Sequence, residues 1–211
     1  MRGVAELLNL KSRKAAFIAI IISALLVGID ILTKWLVVKH IDLGSSVRGL
    51  RIGSLELVNF TYIRNYGAAF GVLRGMTSFL ILFVSLFLIG TIVVLFSGRI
   101  KSKWTIAALA LIIGGGTGNL VDRIRLGYVI DFIELRFIQF AIFNFADMCA
   151  VVGASMLFIM VVGDEIREYR VKKACEFADE ALPSNRKEEQ EEKTSEESHE
   201  NPEEKGFNSE Y

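Results

Sequence analysis

The chain has 211 residues, 52% of them hydrophobic, and a mean hydropathy of +0.43, with its apolar residues gathered into long blocks. Its 24 basic residues balance its 24 acidic ones, so no surplus of positive charge points to a nucleic-acid partner. The two cysteines, Cys149 and Cys175, and the two histidines, His40 and His199, share no spacing suited to a structural bridge or a metal site. Neither a metal nor a cofactor is expected.

The first apolar block runs over about residues 15–38 and predicts a transmembrane helix, since a hydrocarbon core of about 30 Å asks for roughly 20 residues. Lys11, Arg13 and Lys14 before it resemble the n-region of a signal peptide. The run is too long for an h-region, however, and closes on Asp30, Lys34 and bulky residues instead of a small-residue cleavage site, so the helix is read as retained. The i, i+4 spacing of Asp30 and Lys34 lets them pair on one face. A buried pair of that kind serves scaffolding more readily than chemistry.

From about 48 to 64 the pattern turns β-prone, with Leu55, Leu57, Phe60 and Tyr62 alternating and a turn at Gly53-Ser54, which predicts a small hairpin or cradle. NYGAAFG (65–71) follows, where Gly67 and Gly71 permit unusual backbone conformations. It reads either as a functional loop or as a re-entry turn into the second helix, about 76–97. The short connection SGRIKSKW carries Arg99, Lys101 and Lys103 and no acid. The positive-inside rule therefore puts it, and with it both termini, on the cytoplasmic side, even though Lys39, Arg48, Arg51, Arg64 and Arg74 fall opposite.

The third helix, about 104–121, ends in GGGTGNLVDRIRLGYVIDF. Gly114 and Gly118 at helical spacing suit close helix approach, and Asn119, Asp122 and Arg123 fall on one face. Asp122 with Arg123 could equally be a simple interfacial ion pair. Asp131 then sits in an apolar stretch where a carboxyl is expected to hold its proton. The fourth helix, about 146–163, opens at FNFAD, where Asn144 is a good N-cap and Asp147 fits a capping box. A cap alone does not account for a second carboxylate nearby. Two carboxylates that share one proton can activate a water, and that makes a membrane-embedded aspartyl hydrolase the leading reading. The rivals are a proton-coupled transporter, which would carry polar groups through the helices, and a purely structural membrane protein. Residues 164–211 read as a charged cytoplasmic tail, mostly disordered. The fold class is thus an all-α polytopic membrane protein, with a cytoplasmic segment 1–14, a four-helix domain 15–163 and a small extracytoplasmic β-cradle.

The ordered set DILTK (30–34), NYGAAFG (65–71), GNLVDR (118–123), GYVIDF (127–132) and FNFAD (143–147) resembles lipoprotein signal peptidase, the type II signal peptidase of bacteria and an aspartyl peptidase of family A8. The resemblance spans nearly everything from the first helix to the fourth. It implies an endopeptidase of the bacterial cytoplasmic membrane, with its site near the outer face, that removes signal peptides from diacylglyceryl-modified prolipoproteins on the amino side of the lipidated cysteine. It also implies membrane lipid as surroundings and globomycin as inhibitor. By motif position the catalytic pair is Asp131 and Asp147; Asn65, Asn119, Arg123 and Asn144 line the site; Asp30, Lys34, Asp122 and Gly67 support it. One departure is Ala141, where the family often has proline.

Overall fold

A computed structural model of the chain describes residues 2–68 and 72–180. Four helices are long and apolar enough to cross a membrane, with spans at Ser12–His40, Thr77–Phe96, Lys103–Leu126 and Phe145–Ala178. They belong to α1 (Arg2–His40), α2 (Thr77–Phe96), α3 (Lys103–Leu126) and α4 (Phe145–Glu180). Large apolar side chains such as Phe17, Leu25, Phe83, Val93 and Phe158 are exposed along them. Lipid is the medium that leaves such a surface without cost, so helix association must come from close packing instead of apolar burial.

The glycines of α3 provide that packing. A methyl group on Gly114 would meet Leu26 Cβ of α1 at 2.9 Å, one on Gly116 would meet Leu88 Cδ2 of α2 at 2.9 Å, and one on Gly115 would meet the Ala146 carbonyl and the Ala150 nitrogen of α4. Around α3, Ala16, Ala19, Leu95, Leu109, Ala110 and Ile113 form a buried core. Ser102 caps the start of α3, its Oγ accepting the Thr105 N–H at 3.3 Å. Gly127, left-handed at φ 79°, ends it.

Six residues further than the expected stop at 121, that glycine turns the chain into a strand. The strands are β1 (Ser46–Arg48), β2 (Arg51–Ile52), β3 (Leu55–Glu56), β4 (Val58–Asn65) and β5 (Val129–Leu135). β2 and β3 form the small hairpin about Gly53-Ser54, whereas β1, β4 and β5 form an antiparallel sheet in that order. The sequence reading left β5 out. Its pairing puts Asp131 opposite Ile63 and Val129 opposite Asn65, and seats Tyr62, Ile130 and Phe132 on Val37 of α1.

Two boundaries depart from expectation. α1 begins at Arg2, so the segment 1–14 is largely helical, and α4 runs on to Glu180, so residues 164–180 of the expected disordered tail are helix. Nothing in DEIREYRVKKACEFADE breaks a helix, and Glu168 precedes Lys172 at the favourable i, i+4 spacing. The chain divides into two compact units at Val161 and Val162; in the second, the described residues are this exposed helical stretch. Residues 181–211 lie outside the described residues.

Candidate functional site

The start of α4 is built by a return of the chain onto β5. Phe143 bridges Ile133, with N–H to carbonyl distances of 2.7 and 3.1 Å in the two directions, and this delivers Asn144 beside Asp131. Asn144 is then a reciprocal cap: its Oδ1 accepts the Asp147 N–H at 2.9 Å, while Asp147 Oδ2 accepts the Asn144 N–H at 3.1 Å. A third orphan donor, the Ala146 N–H, is taken by Asp30 Oδ1 from α1 at 3.1 Å. Gly118 makes room for that reach, since a methyl group there would stand 2.5 Å from Asp30 Oδ2.

Three asparagine amides aim donors at the two carboxylates. Asn144 Nδ2 donates to Asp131 Oδ1 at 2.7 Å, Asn65 Nδ2 to Asp131 Oδ2 at 2.9 Å, and Asn119 Nδ2 to Asp147 Oδ1 at 2.7 Å. Each amide is held by its other end. Asn65 Oδ1 accepts the Gly67 N–H at 3.0 Å, and Asn119 Oδ1 accepts Lys34 Nζ and Asn144 Nδ2, both at 3.0 Å. Asp131 is 1% exposed and Asp147 is half-buried. Burial, and after it the negative charge of Asp147, push the Asp131 carboxyl up to about 7 against the lowering effect of its two asparagine donors.

Lys34 is the hub beneath this pair. It is 2% exposed, and its Nζ lies 2.7 Å from Asp30 Oδ2 and 2.9 Å from Asp122 Oδ2, besides reaching Asn119. Asp122 Oδ2 in turn accepts the Ile130 N–H at 3.2 Å, next to Asp131. The simple pairing of Asp122 with Arg123 is therefore not what forms: Asp122 turns to Lys34, and Arg123 donates to the Gly67 carbonyl at 2.9 Å and the Asn119 carbonyl at 3.3 Å.

All ten singled-out residues thus converge, with one correction. Gly67 is not among the residues with positive φ, which among the described residues are Gly44, Gly53, Leu73, Gly75, Gly98 and Gly127; it contributes its buried backbone, pinned by Arg123. Gly71 lies outside the described residues. The sequence reading also missed Arg64, Arg74 and Tyr128 as neighbours of the site. The available signal was a pair of arginines flanking the glycine-containing loop. Among the described residues no group of three or more His, Cys, Asp or Glu is arranged to hold a metal.

The family pattern described as Signal peptidase (SPase) II matches residues 22–163. The lipoprotein signal peptidase of Streptococcus agalactiae serotype V is 40% identical over 146 residues, covering 69% of this chain and 92% of its own. That of Streptococcus pneumoniae is 38% identical over 154 residues, 73% and 97% of the two chains. A solved structure described as a bacterial membrane enzyme, obtained by the in meso method at 1.9 Å, superposes with a TM-score of 0.61 at 29% identity, covering 69% of this chain and 93% of that one.

Proposed function

The chain belongs to the signal peptidase II family, and from that premise we propose that Asp131 and Asp147 are the catalytic pair of a lipoprotein signal peptidase acting as an aspartyl endopeptidase. The observation that carries this reading is that one residue, Asn144, serves both carboxylates, donating its amide to Asp131 and capping α4 reciprocally with Asp147. An even number of spans leaves both ends on one side of the membrane, and the basic 99–103 connection makes that side cytoplasmic. The site then opens near the outer face.

The two carboxylates differ in setting, and that assigns their roles. Asp147 lies half-buried in the first turn of α4, where it accepts the Asn144 N–H and the Asn119 amide, and takes the part of the base. Asp131, buried and raised to about 7, carries the shared proton. Asp147 takes a proton from water as the water oxygen attacks the scissile carbonyl, and Asp131 protonates the carbonyl oxygen, leaving a neutral gem-diol. On collapse the gem-diol returns a proton to Asp131 while Asp147 gives its proton to the leaving amine, so the pair ends as it began.

Asn65 and Asn119 orient the acids, and Arg123 fixes the loop at Gly67. The substrate is a prolipoprotein whose cysteine carries a diacylglyceryl group; its acyl chains stay in the bilayer, and their burial holds the peptide at the site. Globomycin competes for the same cleft.

The test is cleavage of a diacylglyceryl-modified prolipoprotein by the purified protein in lipid, with and without globomycin, beside Asp131→Asn and Asp147→Asn. Globomycin-sensitive cleavage absent from both folded variants is expected. Normal turnover by either variant would refute the pair.

A further inference from the structure

Beside Asn65, the partner of Asp131, and outside the membrane-spanning helices, a cleft of about 300 Å³ is walled by the end of β4, Gly67, Arg74, Ala141 and Ile142. Its charged lining is Arg64 and Arg74 alone, both exposed, and among the described residues neither forms an ion pair. Two arginines in one concavity, with no acidic partner among the described residues, suit an anion.

Both are held toward the cleft. The Arg64 guanidinium lies 4.8 Å from the Tyr128 ring centroid, and Tyr66 packs on the same ring at 5.4 Å. Stacking, with hydrogen bonds to Tyr62 and Tyr66, orders the planar group, whose remaining edge donors can meet a carboxylate. Arg74 sits between Leu73 at φ 61° and Gly75 at φ 86°, in a turn closed by the Met76 N–H to the Leu73 carbonyl at 3.0 Å. A left-handed leucine is a costly conformation that persists only where its surroundings impose it.

Asn65 joins the cleft to the chemistry. It lines the cleft and also donates to Asp131, so a peptide lying across the aspartates enters the cleft within a few residues, at about 3.3–3.6 Å of chain per residue. The apolar signal segment and the acyl chains remain among the helices, and the part of the substrate that leaves the bilayer is the mature segment following the lipidated cysteine. Such a volume is at the small end of ligand pockets and suits one or two side chains.

We infer that Arg64 and Arg74 form a specificity subsite for acidic side chains in the first few residues after the lipidated cysteine, an inference that rests on the peptidase reading above. Substrates with Asp there bind more tightly than those with Asn, and those with Lys bind least well. An exposed arginine–carboxylate pair is worth up to about fivefold in binding, so two of them spread Asp from Lys by about tenfold in KM, with kcat little changed.

The experiment compares three diacylglyceryl-modified substrates, with Asp, Asn or Lys at the second position after the cysteine. Wild type, Arg64→Gln, Arg74→Gln and Arg74→Glu are assayed in zwitterionic bilayers and in bilayers containing phosphatidylglycerol. The expected result is the order Asp, Asn, Lys in wild type, a flattened order in each Gln variant, and a reversed order in Arg74→Glu. Cleavage of all three by wild type with equal KM would overturn the subsite and leave the peptidase reading intact, whereas no cleavage of any would overturn that reading itself. Stimulation by phosphatidylglycerol that vanishes in the Gln variants, without discrimination among the substrates, would assign the arginines to a lipid headgroup and equally overturn the inference.

Discussion

Replacing Lys34 by Met keeps most of the length of the side chain and removes one buried charge from the centre of the polar network. Asp30 and Asp122, 1% and 6% exposed, then face one another without their cation. Breaking a buried pair in this way costs about 3–5 kcal/mol. That is a large part of a typical stability of roughly 5–15 kcal/mol, and at about 2–4 °C per kcal/mol for a chain of this size it lowers the melting temperature by roughly 6–20 °C.

A second effect falls on Asn119, whose Oδ1 loses the Lys34 donor that helps keep its Nδ2 on Asp147. A hydrogen bond to a charged group is worth about 1.5–3 kcal/mol, so an amide now held at that end by Asn144 alone lowers kcat by up to about 10- to 150-fold. The two effects separate in the triple variant Lys34→Met with Asp30→Asn and Asp122→Asn. With the stranded charges removed, melting measured in detergent recovers most of its loss, but peptidase activity at the lower temperature does not. A single variant that melts within 2 °C of wild type and cleaves at the wild-type rate, or a triple variant that regains both properties, defeats the reasoning.

The raised carboxyl of Asp131 sets a pH dependence. Cleavage needs the pair to hold one proton, so kcat/KM measured from pH 5 to 9 should fall on the alkaline side with an apparent pKa of about 7, approaching tenfold per unit. Because the folded value lies above the unfolded one, the protonated Asp131 contributes stability that is fully present below about 3.8 and lost as pH rises through about 7. Asp131→Asn lacks that loss, so its stability relative to wild type should rise across the window by on the order of 4 kcal/mol, at 1.36 kcal/mol per unit; a flat difference between the two melting profiles would contradict the assignment. Gly115→Ala drives a methyl group into the backbone of α4 at Ala146 and Ala150, one residue from Asp147, and should cost about 1–3 kcal/mol along with activity. Gly90→Ala, with nothing within 4 Å of the added methyl, should instead be neutral or stabilising by up to about 1 kcal/mol. Equal melting temperatures for these two alanine variants would mean that α3 and α4 are not in contact as described.

The sequence by itself determined the medium, the four spans and the cap of the last helix, because each depends on residues near one another in the chain. A run of apolar residues and the Asn144–Asp147 box are both read within a few turns, although the stop at Gly127 was placed too early, at 121. The ordered motifs likewise named the polar residues that converge in the structure. What the sequence could not decide is who holds whom. Lys34 meets Asn119 across 85 positions, Asp30 caps Ala146 across 116, and Asn65 reaches Asp131 across 66. β5 was missed for the same reason: seven residues form a strand because β4, more than 60 residues earlier, offers an edge to pair with. Only the folded packing around the glycines of α3 brings those partners to one point, and the different burial of two chemically identical aspartates, on which their proposed roles rest, arises only there.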